Sequence, residues 1–498
     1  MFTFDEIPFD WLEPGTFLEV KPNYSRTGLL PYPVKAHLIG QKLAAGTLAP
    51  GQLVEVVHPD EAIALFGEGS IGAEQVAAFR AINRTSPLMV QALADAGGAV
   101  KATGTLTFAG AVAVSTVLRF MIAGKPIRFT AASGDAVADM ATKLAAAINA
   151  ETSLTVTAAA AAAVVTVTAR HGGEVGNDID LRVDTTDQPL PSGLTIAIVD
   201  MANGAGNPDL EDALDIIEND WFTQIGHPWN DATNMAAFAE DLARRYQAMS
   251  KLDAHGFVGK RGTYGQLGTW GALTNSPFLT CLGLSRPKSS SWVLSAVAMG
   301  LATFHLTNDP ARQLKSLAMT GFDGPDAVDQ FTETEQDLLL RKGISTFDHL
   351  SDGTTVVSRM VTTYKQSNLG VADRAWLDIM VPATMSRIRY DWAAYVSLQY
   401  PRAKLVIDEE TAAITERSGD SDDDGDDNSV VTPRRMHASW AARCRLYAKK
   451  VWIQDADRTI KKSQFVISED DANRLESRQH VRVAGNLMVL AGSLEFEV

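Results

Sequence analysis

The chain ends in a β-prone run, Leu487-Met488-Val489-Leu490-Ala491-Gly492-Ser493-Leu494-Glu495-Phe496-Glu497-Val498, whose last residues alternate apolar and polar side chains. Alternation with a period of two predicts a β-strand with one face to bury. A single strand at a chain end cannot form a sheet by itself. It needs the edge of an existing sheet, in its own chain or in a neighbouring subunit.

A second short strand is predicted near the start of the chain, at Phe17-Leu18-Glu19-Val20, between Pro14-Gly15 and Pro22. Residues 1–30 are rich in proline, glycine and aromatic residues and show no helical periodicity. We expect an N-terminal arm that becomes ordered through outside contacts. From these residues alone, pairing within the chain and donation to another subunit both remain open.

The composition is that of a globular protein. The chain has 498 residues, 46% hydrophobic and 21% charged, enough for about three domains. There is no apolar run long enough for a membrane span, and the acidic start, Asp5-Glu6, is unlike a secretory signal, so we expect synthesis and assembly in a cytoplasm. Cys281 and Cys444 lie far apart without a CxxC motif, which argues against a disulfide framework or zinc site.

The net charge of -16 is unevenly distributed. Ten acids and one base, Arg417, fall within residues 408–428, giving -9. Nine bases and two acids follow within residues 434–462, giving +7. An overall acidic chain argues against an extended nucleic-acid surface. These two stretches, one acidic loop beside one basic segment, nearly cancel, and the rest of the chain carries the remaining -14.

Patterns along the chain predict an α+β multidomain fold. Alternating strands and helices over residues 31–95 and 203–365 indicate a layered α/β core. A mainly β domain is inserted at residues 96–202, where short Thr- and Val-rich strands predominate. Residues 366–484 form a C-terminal α/β inner domain, and residues 485–498 form a C-terminal arm.

Three local patterns give further expectations. Six alanines, Ala158 to Ala163, lie between alternating Thr and Val residues and predict a hairpin rather than a helix. Asn207 with Pro208 predicts the start of a helix that ends near Asn219. Glycine at every third position from Gly259 to Gly271 predicts a tight loop or a closely packed helix start.

The sequence contains no catalytic motif. The nine histidines show no HExxH or other paired metal spacing, and there is no GxSxG or Walker sequence. We therefore predict no catalytic residues, no enzyme activity and no cofactor. Asp420, Asp422 and Asp424 match the first half of a calcium loop, but Val431 stands where a bidentate glutamate belongs. A solvated acidic loop is the favoured interpretation, with calcium binding as a weak alternative.

A helix of about Arg435 to Val451 is predicted after the acidic loop. Its apolar face carries Met436, Trp440, Cys444, Tyr447 and Val451. The other faces carry Arg443, Arg445, Lys449 and Lys450. These bases are either an electrostatic docking surface for an acidic partner or an ordinary solvated face.

Several stretches together resemble the tail sheath proteins of Mu-like contractile phages and related prophage and tailocin particles. Residues 4–8 and 14–20 look like that family's N-terminal arm. Residues 166–179 are similar to its hairpin and turn in the inserted domain. Residues 331–364 look like the end of its core domain, and residues 400–405 and 431–433 resemble its C-terminal domain. The order and spacing of these stretches carry the resemblance, and the acidic insert at residues 420–428 departs from it.

The resemblance implies a structural subunit. Such proteins stack as hexameric rings around a tail tube and form a helical sheath, whose contraction drives the tube through the host envelope. Partners would be copies of itself, the tail tube protein, and baseplate and tail terminator proteins, with no nucleic acid bound directly and no insertion into a membrane. The subunit-linking strands would be Phe17, Leu18, Glu19 and Val20 at the N-terminus, and Leu487, Met488, Val489, Leu490, Leu494, Phe496 and Val498 at the C-terminus. The bases of the helix would face the tube.

Other functions remain open from the sequence. The β-rich insertion and the acidic loop would also suit a calcium-dependent surface adhesion or fibre subunit. An enzyme on the α/β core would need convergent polar groups that the sequence does not reveal. A bacteriocin-like particle without a genome would use the same sheath.

Overall fold

The computed structural model describes residues 28–408 and 430–495. By its internal contacts the described chain divides into two units, residues 33–387 with 483–495 and residues 28–32 with 388–482. Both contain helices and strands, which confirms the predicted α+β class.

The helices and strands are numbered in chain order. The strands are β1 (Ala36–Gln41), β2 (Val54–Glu55), β3 (Leu88–Leu93), β4 (Lys101–Gly110), β5 (Thr116–Ile122), β6 (Lys125–Ala131), β7 (Val156–Ala161), β8 (Val164–Gly172), β9 (Leu181–Val183), β10 (Leu194–Ala202), β11 (Gln224–Gly226), β12 (His255–Arg261), β13 (Leu279–Leu284), β14 (Ile344–His349), β15 (Thr355–Arg359), β16 (Lys404–Leu405), β17 (Val430–Val431), β18 (Gln464–Ile467) and β19 (Leu475–Arg478). The helices are α1 (Pro59–Phe66), α2 (Ile71–Ile82), α3 (Val137–Ala150), α4 (Glu211–Ile216), α5 (Ala232–Arg245), α6 (Tyr264–Trp270), α7 (Ser291–Asn308), α8 (Glu333–Arg341), α9 (Met380–Gln399), α10 (Pro433–Lys449) and α11 (Ala456–Lys462).

The larger unit is built on an eight-stranded sheet in the order β15-β14-β13-β12-β11-β1-β3-β2. The six inner strands are parallel, and β2 and β15 pair antiparallel at the edges. All residues of β1 and of β13 are buried, as expected for parallel strands covered on both faces. The apolar helix α7 is buried from Ser291 to Thr303 and packs against β12.

The inserted segment forms two further sheets. The four-stranded sheet β10-β4-β8-β7 is antiparallel, and the three-stranded sheet β6-β5-β9 lies apart from it. Phe108, Phe120 and Phe129 fill the space between them, with ring centroids 6.0–6.3 Å apart. The predicted hairpin at the alanine run is confirmed, because β7 pairs antiparallel with β8 from Val156↔Ala169 to Ala161↔Val164.

The helix predicted from Pro208 is shorter than expected. It begins at Glu211 and ends at Ile216. The side chain of Asn207 does not cap it, because its amide donates to Asp231 and its carbonyl oxygen accepts from the backbone N–H of Glu174. Tertiary hydrogen bonds therefore replace the local cap that the sequence predicted.

The glycine repeat falls on β12, the following loop and α6. Helix α6 begins at a capping box in which Thr263 and Gln266 bond each other's backbone N–H. A side chain at Gly259 would place its Cβ 2.2 Å from the backbone oxygen of Ser291. Strand β12 therefore approaches α7 as closely as it does only because this position lacks a side chain.

We predict opposite effects of alanine at two of these glycines. Gly259→Ala forces β12 and α7 apart and lowers the unfolding free energy by about 3 kcal/mol, the cost of overpacking against backbone. Gly265 lies in α6 with nothing within 4 Å of an added Cβ, so Gly265→Ala raises stability by up to about 1 kcal/mol. Urea denaturation followed by tryptophan fluorescence measures both, and equal midpoints for the two variants would contradict the close contact.

Candidate functional site

The C-terminal segment, Val483 to Glu495, forms no strand in the part of the chain that the structure describes. Four of its apolar side chains are exposed, Leu487 by 78%, Val489 by 79%, Leu490 by 86% and Leu494 by 96%, whereas Met488 is half-buried. Near its start, the side-chain amide of Asn486 donates to the backbone oxygen of Ala311 at 3.3 Å. Covering apolar side chains this exposed with another surface is energetically favourable, because it removes them from water.

Several predicted residues lie outside the described ranges. These are Phe17, Leu18, Glu19, Val20, Phe496, Val498, Asp420, Asp422 and Asp424.

A two-stranded antiparallel sheet in the smaller unit offers strand edges. Strands β18 and β19 pair from Gln464↔Arg478 to Ile467↔Leu475, and no third strand joins them among the described residues. Phe465 is buried and contacts the ring of Trp392, whereas Val466 is 54% exposed. A groove of about 460 Å³ runs beside β18, lined by Arg434, His437, Phe465 and others.

The predicted basic helix is α10. It begins after Thr432, whose hydroxyl accepts from the backbone N–H of Arg435, and Pro433 occupies the first turn. Met436, Trp440, Cys444 and Tyr447 are buried as predicted, whereas Val451 lies beyond the helix and is exposed.

Arg443 is not a surface residue, which corrects the prediction that it faces a partner. Its side chain is 2% exposed and forms an ion pair with Asp391 of α9, itself fully buried. The hydroxyl of Tyr447 donates to the same carboxylate at 2.6 Å, and the guanidinium lies 4.9 Å from the ring centroid of Tyr395. Burial alone lowers the pKa of Arg443, but the bonds to Asp391 outweigh it and raise this pKa above its usual value. Burial is the main cause that raises the pKa of the Tyr447 hydroxyl, and the neighbouring Asp391 carboxylate raises this pKa further.

The same ion pair holds the first described residues. The guanidinium of Arg443 donates to the backbone oxygen of Gly28 at 3.1 Å, and Asp391 accepts from the backbone N–H of Leu30 at 3.0 Å. This pair fixes the point where the N-terminal arm begins, which sequence reasoning missed. Asp391 lies in the apolar stripe of α9 between Ile388 and Trp392, and a carboxylate in such a stripe needs a buried cation.

Most of the remaining bases at α10 are exposed, whereas Arg435 is half-buried and donates to the backbone oxygen of Val430 at 2.8 Å. Arg445, Lys449 and Lys450 lie at or near its C-terminal end. Arg434 on the same helix, and Arg458, Lys461 and Lys462 of α11, are also exposed. The exposed positive charge of these two helices therefore does not include Arg443.

The larger unit contains a cleft of about 1150 Å³ at the carboxyl ends of β12 and β13. The polar side chains of this cleft bond one another. The Lys260 ammonium donates to the side-chain oxygen of Asn230, and the Asn230 amide donates to the Asp178 carboxylate at 3.1 Å. Burial raises the pKa of the Asp178 carboxyl. Burial also raises the pKa of the Cys281 thiol to about 12, so this thiol is a poor nucleophile.

Residues 28–408 and 430–495 offer neither a metal site nor a membrane span. Among them, no group of three or more His, Cys, Asp or Glu side chains is placed to hold a metal ion. No helix in these ranges combines the length and apolar character needed to cross a membrane.

We predict that Arg443 and Arg445 differ sharply in their effect on stability. Arg443→Met leaves the Asp391 carboxylate buried without a counter-charge, which costs about 3–5 kcal/mol of unfolding free energy. The exposed control Arg445→Met changes it by less than about 0.5 kcal/mol. Urea midpoints read from tryptophan fluorescence compare the two, and a similar shift for both would rule out the buried pair.

The chain is similar to proteins of contractile particles. Residues 203–363 match the phage tail sheath protein central domain family. The chain is 30% identical over 407 residues to the Mu-like prophage FluMu tail sheath protein of Haemophilus influenzae, covering 82% of this chain and 83% of that protein.

Two solved structures are also similar over most of their length. One is the sheath tail protein of Desulfitobacterium hafniense, at 12% identity and a TM-score of 0.49, covering 94% of this chain and 96% of that one. The other is the PVC sheath complex of an extracellular contractile injection system in its contracted state, at 10% identity and a TM-score of 0.49, covering 98% of each. From the identity and coverage of the Haemophilus relative, the chain belongs to the phage tail sheath protein family.

Proposed function

We propose that this tail sheath subunit polymerises as stacked hexameric rings around a tail tube, and that contraction of the sheath drives the tube through a host envelope. The observation that carries the proposal is the exposed apolar segment at the C-terminus. Exposed large apolar side chains elsewhere in the described chain, such as Met249, Val328 and Leu369, are scattered, whereas four fall within residues 487–494. A segment like this one is therefore built to be covered by something outside its own fold.

Strand addition is the contact that this segment suits best. Burying an exposed Leu or Val side chain contributes about 1.5–3 kcal/mol each. Leu487, Val489, Leu490 and Leu494 together would make a substantial contact on a neighbouring copy. The sheet β18–β19 of that copy has free edges and a groove beside β18 to receive it.

The N-terminal arm would act in the same way from a fixed root. The backbone at Gly28 and Leu30 is bonded to Arg443 and Asp391. Tension on a donated N-terminal strand, Phe17 to Val20, would therefore pass directly into α9 and α10. An arm that is paired in a neighbouring subunit at one end and bonded to the Arg443–Asp391 pair at the other would keep two subunits linked under tension.

The exposed bases of α10 are proposed to face the tube. Arg445, Lys449 and Lys450 form this surface, and Arg443 is not part of it. Positive side chains near a helix C-terminus are favoured by the helix dipole and remain available to an acidic partner.

The wider role follows from the family. We infer a structural, non-catalytic subunit without a cofactor, assembled in a bacterial cytoplasm and located in the tail of a virion or tailocin. Baseplate and tail terminator proteins are its proposed partners at the ends of the sheath. The calcium-dependent adhesion alternative would need Asp420, Asp422 and Asp424 as ligands, and these lie outside the described ranges.

We predict that the C-terminal segment is required for assembly and not for folding. Purified full-length protein forms rings or tubes in negative-stain electron microscopy, and a chain lacking Leu487 to Val498 stays monomeric with an unchanged melting temperature. Val489→Asp with Leu490→Asp has the same effect because it puts charge into the apolar contact. The control Ser493→Asp adds charge at an exposed polar position and still assembles. Tubes from the truncated chain would refute donation of this strand.

We predict that the exposed bases act on the tube and not on the fold. Arg445→Glu with Lys449→Glu lowers assembly on purified tail tubes at least tenfold at low salt and weakens its salt dependence, because charge attraction is lost. Lys251→Glu with Lys315→Glu makes the same charge change on the larger unit and leaves assembly intact. Equal behaviour of the two double variants would show that α10 does not face the tube.

A further inference from the structure

The inserted domain contains three long runs without an ionisable side chain. They extend from Ala102 to Leu118, from Thr152 to Ala169 and from Gln188 to Val199, in a chain in which 21% of residues are charged. These runs supply nearly all of the sheet β10-β4-β8-β7. Charged residues are the ones most often found at protein surfaces, so their absence from these runs is informative; the charged residues of the sheet, Lys101, Arg170 and Asp200, lie just outside them.

Strand pairing brings the uncharged residues onto one outward face. Val199 pairs with Thr105, and Thr105 with Thr166, in one row across the sheet. Ala197 pairs with Thr107, and Thr107 with Val164, in the next. The alternate residues, such as Leu106 and Val165, are buried beneath. The uncharged sheet face is defined by Thr105, Thr107, Val164, Thr166, Ala197 and Val199.

The inserted domain is not poor in charge elsewhere. The outward side of its three-stranded sheet carries Arg119 and Arg128, directly paired across β5 and β6. Arg119 also bonds Asp187 at 2.5 Å, and Arg128 is exposed. Lys101 and Arg170 border the uncharged sheet face at one end. The lack of charge in the inserted domain is therefore specific to the uncharged sheet face, which has charged residues at its border. A centre depleted of charge within a polar rim is typical of a protein interface.

We infer that the uncharged sheet face contacts a second copy of this chain within the assembled sheath. The inference rests on the proposed function, which brings many copies together. Each copy carries a net charge of -16, so copies repel unless they meet through surfaces free of like charge. Threonine and valine have stiff side chains and lose little freedom when covered.

The size of the face fits a contact within a polymer. Four strands spaced about 4.8 Å apart, each contributing about five residues of 3.4 Å, cover roughly 300 Å². A stable pair of proteins in solution buries about 800 Å² on each partner. The uncharged sheet face is too small to hold two free chains together and adds to contacts that the arms already make.

The face has a fixed position on the larger unit. Asp180, just before β9, accepts from Arg261 of β12 at 3.0 Å, and Arg182 of β9 pairs with Asp326 at 2.6 Å. His171 of β8 bonds Asp95, which follows β3, at 3.0 Å. The inserted sheets are therefore held on the α/β sheet. The positions of neighbouring subunits in a sheath would then also determine what the uncharged sheet face contacts.

Thiol labelling tests the contact. Thr166→Cys places a reactive group in the centre of the face, and both native thiols are fully buried. We expect maleimide to modify position 166 at least tenfold more slowly in assembled sheath than in the free chain. Thr130→Cys is the matched control on the exposed, arginine-bearing side of the same domain, and its labelling should slow far less. The free chain in this comparison is each cysteine variant lacking Leu487 to Val498, which should sediment as a monomer.

The outcomes separate this inference from the proposed function. The contact would be overturned if position 166 is labelled as fast in the sheath as in the free chain, or if it is protected no more than position 130. Either result would leave the proposed sheath role standing. A full-length chain that forms no sheath under any condition, even on tubes, would overturn both. Thr105→Lys with Thr166→Lys gives a second readout: sheaths from this variant should dissociate at lower denaturant than those of Thr130→Lys.

Discussion

One buried ion pair organises the smaller unit. Arg443 and Asp391 come from two different helices, and removing both charges from water is costly unless each is fully bonded. The structure meets that condition with the Tyr447 hydroxyl and with the backbone of Gly28 and Leu30. The pair can therefore form only when α9, α10 and the start of the described chain are all in place. This makes the root of the arm a part of the fold rather than an appendage.

The larger unit follows a different rule. Its parallel strands are buried on both faces, and its polar groups are bonded in networks such as Lys260, Asn230 and Asp178. The surfaces left incomplete lie elsewhere: an apolar segment at the C-terminus, two free strand edges at β18–β19 and a sheet face without charge. A protein that polymerises needs complementary incomplete surfaces of this kind, since contacts between copies must replace contacts with water.

Sequence patterns predicted the architecture well where burial is continuous or alternating. The Thr and Val alternation around the alanine run was sufficient to place the hairpin of β7 and β8. Sequence patterns gave the wrong role for a side chain where its bonding partner lies far away in the sequence. Asn207 looks like a helix cap, but bonds Asp231 and Glu174, and Arg443 looks like a surface base, but meets Asp391, 52 residues earlier. Donation of the chain ends to other copies stays a prediction.

The two thiols have a consequence for where the protein can work. Both are fully buried, and burial raises the pKa of Cys281 and of Cys444 to about 12. At neutral pH almost none of either is the thiolate that peroxide attacks. While the subunit stays folded, a change from reducing to oxidising surroundings therefore leaves both cysteines without cross-links or oxidised sulfur.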